Sequence, residues 1–172
     1  MTYLAITVLG HDRPGIIAQT AEVLAGAGMN LEDSSMTLLR GHFAMTLICD
    51  GDAPAEEVAG ALAPLEADRS LTVSVREITG ETESVPGGRP YLVTVHGADR
   101  LGIVAQLAGV VADAGGNITD LTTRLVGDLY VLVAEVDLPN DAAASELHET
   151  LTEVSAGLGV EASLRPMERD EL

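Results

Sequence analysis

The sequence predicts an α+β chain made of two copies of one unit, each an antiparallel sheet with both helices on one face. Three observations point there. The 172-residue chain repeats itself at an offset of 87 residues. Within each copy, apolar positions alternate as in strands and recur at helical spacing in between. Apolar residues make up 47% and charged residues 21% of the chain, close to globular averages of ~45–50% and ~25% and unlike a disordered chain.

The repeat is clearest where Thr7-Val8-Leu9-Gly10-His11-Asp12-Arg13-Pro14-Gly15-Ile16 meets Thr94-Val95-His96-Gly97-Ala98-Asp99-Arg100-Leu101-Gly102-Ile103. From Thr7 to Asp33, 16 of 27 positions are identical to those 87 residues later. Phe43 still aligns with Tyr130, and Asp50 with Asp137. Leu62 against Leu151 and Arg76 against Arg165 require an offset of 89, so two residues are inserted near Pro139-Asn140-Asp141. Two copies are too few for a solenoid. The reading is two homologous domains, 1–79 and 90–172, joined by a linker at 80–89 that is polar and rich in Gly and Pro.

Each element of a copy follows from its residues. Tyr3–Leu9 is β-rich, with Leu4, Ile6 and Val8 on one face, and reads as a strand. Asp12 and Pro14 are expected to open a helix, since a carboxylate and a proline suit its unsatisfied first N–H groups. Ile16, Ile17, Thr20, Val23, Leu24 and Ala27 fall on one helical face, and Gly28 stops the helix. Leu31–Leu39 and His42–Cys49 flank Arg40-Gly41, a hairpin signal. Val58, Leu62 and Leu65 have helical spacing, and Leu71, Val73 and Val75 alternate in a last strand. The order β-α-β-β-α-β is the ferredoxin-like plan. A unit of ~80 residues has a small core, so the copies are expected to pack together.

Charge and cysteine content exclude several functions. Nine basic residues, all Arg, stand against 27 acidic ones, for a net charge of −18. A direct nucleic-acid binder needs a basic face to displace counterions from phosphates. The acidity is shared by both copies. One Cys, Cys49, permits no internal disulfide or multi-Cys metal site and reads as a small buried hydrophobe. The N-terminal apolar run is neither a signal peptide nor a membrane span, which predicts a cytoplasmic protein with no membrane contact.

The informative residues lie after the first strand. Asp12, Arg13, Gly15 and Ile16 in copy one match Asp99, Arg100, Gly102 and Ile103 in copy two; Asn30 and Asn117 follow the helices. Free N–H groups at a helix N-terminus favour a carboxylate or phosphate. Gly15 and Gly102 let a ligand approach the backbone. An amino acid presents a carboxylate for the N–H groups and an ammonium for Asp12, Asp99 or an amide oxygen. Asn30 and Asn117 are expected to lie beside the loop, at the start of the second strand. A structural reading stays open: the aspartates cap helices, the glycines relieve packing, and the asparagines adopt a left-handed turn.

Asp-Arg-Pro-Gly-Ile-Ile-Ala followed by Gly-Met-Asn, on this element order, resembles the ACT domain. Two such copies are similar to the glycine cleavage system transcriptional repressor-like regulatory proteins. Similar segments precede the catalytic domains of formyltetrahydrofolate deformylases and phosphoserine phosphatases. The resemblance implies regulation by a small ligand, often an amino acid, held where two ACT domains meet. The first βα loop and the start of the second strand would hold it. Leu101 stands where the motif has Pro, which leaves the second loop less rigid.

The remaining constellations are bland. His11, His42, His96 and His148 show no metal-ligand spacing, and His11 reads as a solvated loop residue. Ser34-Ser35 lacks a nucleophile-elbow pattern, and Gly157-Leu158-Gly159 lacks the rest of a dinucleotide fingerprint. No catalytic set, metal site or cofactor is expected. The sequence predicts a non-enzymatic sensor of a small molecule, an amino acid by preference. It would modulate a protein partner, such as a transcription factor or a metabolic enzyme, without binding DNA, and is expected to form a homo-oligomer. The alternative is a ligand-free pair that assembles through sheet edges.

Overall fold

The computed structural model describes residues 2–67, 69–79 and 88–168. The chain divides into two compact units, Met1–Glu83 and Ser84–Leu172. Of the stretch 80–89 expected to link the copies, residues 80–87 lie outside the described residues.

The first unit runs β1 (Thr2–His11), α1 (Ile16–Gly26), β2 (Asn30–Leu39), β3 (His42–Gly51), α2 (Ala55–Leu62), a 3-10 turn (Ala63–Glu66) and β4 (Leu71–Ile78). The second runs β5 (Arg89–Ala98), α3 (Ile103–Asp113), β6 (Asn117–Val126), β7 (Leu129–Leu138), α4 (Asp141–Leu158) and β8 (Val160–Pro166). The sheets have the orders β2-β3-β1-β4 and β6-β7-β5-β8, with every pairing antiparallel. This is the expected β-α-β-β-α-β plan, twice.

One face of each sheet is buried. Leu4, Ile6 and Val8 of β1 and Phe43, Met45 and Leu47 of β3 form the core of the first unit with Ile16 and Leu24 of α1. The second core repeats this with Val93, Val95, Leu132 and Ala134 under Ile103, Leu107 and Val111. Ile17, expected on the buried stripe, is instead half exposed. Thr20 is buried, and its hydroxyl donates to the Ile16 carbonyl at 2.8 Å.

Both first helices end alike. The Gly28 N–H donates to the Ala25 carbonyl and the Met29 N–H to the Leu24 carbonyl, with Gly28 at φ 73°. These two bonds are a Schellman cap. Gly115 and Gly116 repeat it on Ala112 and Val111. The next layer differs reciprocally. A Cβ on Gly51 would lie 2.5 Å from the Met29 sulfur, and a Cβ on Gly116 would lie 2.7 Å from Leu138 Cδ2. Met29 therefore fills over Gly51 in one copy, and Leu138 fills over Gly116 in the other.

The second helices differ more. Pro64 has no N–H for the Gly60 carbonyl, and α2 gives way there to the 3-10 turn. Copy two has Glu153 at the aligned position, and α4 continues unbroken to Leu158. The inserted residues lengthen the start of α4, since the β7–α4 connection is two residues against three in copy one; Asn140 caps the helix by accepting the Ala143 N–H at 2.9 Å. Arg89, expected in the linker, opens β5 and bonds the Asp141 carboxylate at 2.6 Å. Tyr91 donates to the same carboxylate at 3.3 Å. Partial burial and then the Asp141 charge push the Tyr91 phenol above its ordinary pKa.

Candidate functional site

The loops after β1 and β5 have one conformation. Gly15 is the N-cap of α1 at φ 90°, ψ 1°, and Gly102 is that of α3 at φ 91°, ψ 4°. The helices therefore start at Ile16 and Ile103, and Asp12 and Pro14 precede the first turn. This corrects the expectation that Asp12 and Pro14 open the helix. Glycine, which has no side chain to cap with, holds the N-cap position in both loops, so Asp12 and Asp99 do not occupy it. The Asp12 N–H instead donates to the Gly41 carbonyl at 3.0 Å and extends the β1–β3 ladder by one pair. A left-handed glycine turns the chain from strand into helix, and the first helical N–H groups, which have no intrahelical partner, face outward.

Each loop lines an open cavity. Asp12, Arg13, Gly15 and Ile16 border one of about 450 Å³, walled by Ile17, Met36 and Phe43. Asp99, Arg100, Gly102 and Ile103 border one of about 560 Å³, with Leu101, Val104 and Tyr130. The structure thus brings together four of the five expected residues of each copy. Arg13 Nη1 donates to Gln19 Oε1 at 3.1 Å. Its Nε is buried without a hydrogen-bond partner among the described residues, and a buried donor left so is costly.

Asn30 and Asn117 lie elsewhere, which corrects their expected place beside the loops. Asn30 is in register with Asp50, which pairs with Tyr3 near the start of β1. The loop leaves the far end, after His11. Eight residues of strand separate Tyr3 from His11, about 26 Å. Asn117, in register with Asp137 and so with Pro90, repeats the arrangement. Neither asparagine takes a left-handed conformation. Asn30 Nδ2 donates to Asp50 Oδ1 at 3.1 Å, and Asp50 is buried. A buried carboxylate needs such a donor.

One feature lies beyond what the sequence reading assigned. β2 is an edge strand, and the helix layer stops short of it. A groove of about 180 Å³ lies between α1 and β2, lined by Ile17, Thr20, Leu31, Ser34 and Met36. It shares Ile17 and Met36 with the loop cavity. The signal was present in Leu31 and Met36, apolar residues set between polar neighbours on the strand. Nearby, burial, followed by the Asp50 and Glu32 charges, pushes the Cys49 thiol above its ordinary pKa.

Among the described residues no three His, Cys, Asp or Glu groups could hold a metal ion. No described helix is long and apolar enough to cross a membrane.

Comparison with known proteins gives a consistent picture. The family model for the ACT domain matches residues 2–76 and 89–165. The glycine cleavage system transcriptional repressor of Escherichia coli is 28% identical over 123 residues, covering 71% of this chain and 64% of the repressor. A UPF0237 protein of Methanopyrus kandleri is 50% identical over 50 residues, 29% of this chain and 56% of its own. The chain thus spans 56–64% of the length of these relatives. A protein of unknown function from Galdieria sulphuraria superposes with a TM-score of 0.82 at 26% identity, covering 97% of this chain and 99% of that one. The structure of a putative glycine cleavage system transcriptional repressor shares the fold, with a TM-score of 0.72, 19% identity and 98% coverage of both chains.

Proposed function

The chain belongs to the ACT domain family, and from that premise we propose that it is a non-catalytic regulatory protein that binds a free amino acid and passes its occupancy to a protein partner. One observation carries the reading. Each βα-loop cavity combines unpaired helix N–H groups, an arginine and an apolar wall. The N–H groups and Arg13 suit a carboxylate, and Ile17, Met36 and Phe43 suit an aliphatic side chain. Asp12 is at hand for the ammonium. The likeness to a transcriptional repressor supports a regulatory output. A net charge of −18 favours action through a protein, a transcription factor or a metabolic enzyme, over direct contact with DNA.

Asn30 and Asn117 are too far from the loop of their own copy to share one amino acid with it. A site using both features needs the loop of one chain and the strand start of another, which favours a homo-oligomer. An effector acts only through its different affinity for two such arrangements.

The test is a thermal-shift panel of the twenty amino acids in EDTA. A ligand at 100 times its Kd contributes ~2.7 kcal/mol, several degrees of melting temperature for a chain of this size. No shift with any of them would sink the sensing reading. The second reading, assembly without a ligand, draws on the edge strands. Leu31, Met36 and Leu38 of β2 and Leu121, Leu125 and Val126 of β6 are 40–69% exposed. It predicts an oligomer whose mass, by light scattering, ignores every amino acid.

A further inference from the structure

Copy one carries a pair of histidines that copy two lacks. His11 ends β1, His42 opens β3, and the two are register partners. The Asp12 N–H donating to Gly41 marks pair 12/41 as hydrogen-bonded. The next pair, His11 and His42, is then of the non-hydrogen-bonded kind, in which facing side chains come closest. Their ring centroids are 4.9 Å apart with the planes at 83°. Both residues are exposed and alternate with core residues of their strands, so they lie on the face away from the helices. Phe43, in the wall of the loop cavity, is on the other face. The histidines are therefore outside the proposed amino-acid site.

We propose that His11 and His42 together chelate a divalent first-row transition-metal ion, with water in the remaining positions. Neutral imidazole suits Zn²⁺, Cu²⁺ and Ni²⁺. With metal–nitrogen bonds of about 2.0–2.1 Å, each ring centroid stands roughly 3.2 Å from the ion. Ligand angles between 90° and tetrahedral then place the centroids roughly 4.5–5.2 Å apart. The observed 4.9 Å falls inside that range. Binding needs the exposed rings to turn until one nitrogen of each faces the ion. No third His, Cys, Asp or Glu completes a larger cluster among the described residues, so the site is open and exchangeable. The ion would tie the strand end from which the Asp12–Gly15 loop departs to the Arg40-Gly41 hairpin.

Copy two is the internal control, because Ala98 and Leu129 occupy the equivalent pair. The experiment titrates the full metal-free chain with ZnCl₂ by calorimetry and with Cu²⁺ by electron paramagnetic resonance. The expected result is one ion per chain, with imidazole nitrogen coupling in the Cu²⁺ spectrum. His11→Ala and His42→Ala should each abolish saturable uptake while keeping the wild-type metal-free melting temperature. If either alanine variant unfolds, His11→Gln or His42→Gln takes its place. His96→Ala should bind as wild type; His96 Nε2 lies 3.1 Å from Glu161 Oε2 and offers the rival location. Ala98→His with Leu129→His should raise the stoichiometry to two. The proposal is overturned if the wild type takes up neither ion. It is equally overturned if both His11 and His42 variants retain full uptake, or if His96→Ala abolishes it.

Discussion

Gly15 and Gly102 set the geometry of both loops through backbone conformation alone. A Cβ on Gly15 would find its nearest neighbour, Gln19 Nε2, at 3.9 Å, which is ordinary contact. The penalty for a side chain there is the left-handed φ itself. Gly15→Ala should therefore destabilise the amino-acid-free protein by ~1–2 kcal/mol. Urea denaturation without amino acid checks this, and an unchanged midpoint would contradict it. Leu101 makes the complementary case. It is fully exposed, while copy one has Pro14 in a loop of matching Gly φ. Leu101→Pro should stabilise the second unit by ~0.4–1 kcal/mol through the unfolded state, read as a higher midpoint in the same assay. Cys49 is the third instance. Its raised pKa lowers the thiolate fraction at any given pH, and burial blocks access. Ellman's reagent at pH 8 should label it only as fast as the unit opens; immediate labelling of the native protein would refute this. At this scale the motif was legible in the sequence. That Gly15, and not Asp12, is the N-cap was not legible, because both fit a helix start and only φ separates them.

At the scale of elements, turns and strands were readable because their chemistry is local. Arg40-Gly41 forms the first hairpin with both residues at positive φ. The end of the sheet at which Asn30 lies is a matter of topology. A β-α-β connection brings the chain back to where the first strand began, so the start of β2 sits level with the start of β1. The element order contained that fact, but nearness in sequence to the helix obscured it. The Met29–Gly51 and Gly116–Leu138 exchange was invisible for a different reason: each residue alone is an ordinary apolar or small choice. Gly51→Leu should cost at least ~1–3 kcal/mol by overpacking, and Met29→Gly ~2–5 kcal/mol by leaving a cavity. The double variant should be more stable than the sum of the two changes implies, by ~1 kcal/mol or more. Rescue should be partial, since the Gly28 carbonyl would also lie 2.8 Å from the new Cβ. Additive losses would show that the two positions do not share a space.

For the whole molecule, charge and duplication matter most. With a net charge of −18, self-repulsion opposes compaction and salt screens it. The melting temperature should rise between low and moderate NaCl, and the purified protein should not bind duplex DNA with a steep salt dependence. Tight, salt-sensitive binding to any DNA would reverse the functional reading. The duplication carries a hazard of its own. Two units alike in sequence can exchange strands while folding, a characteristic failure of repeated domains. The reciprocal packing over the first helices acts against it. A hybrid in which Met29 met Leu138 would hold two large side chains in space for one, and a hybrid in which Gly116 met Gly51 would hold a void. Either mispaired form is penalised where it would otherwise look native. The mismatch between the copies thus serves as a proofreading device for the folding chain, each half rejecting the other's strand.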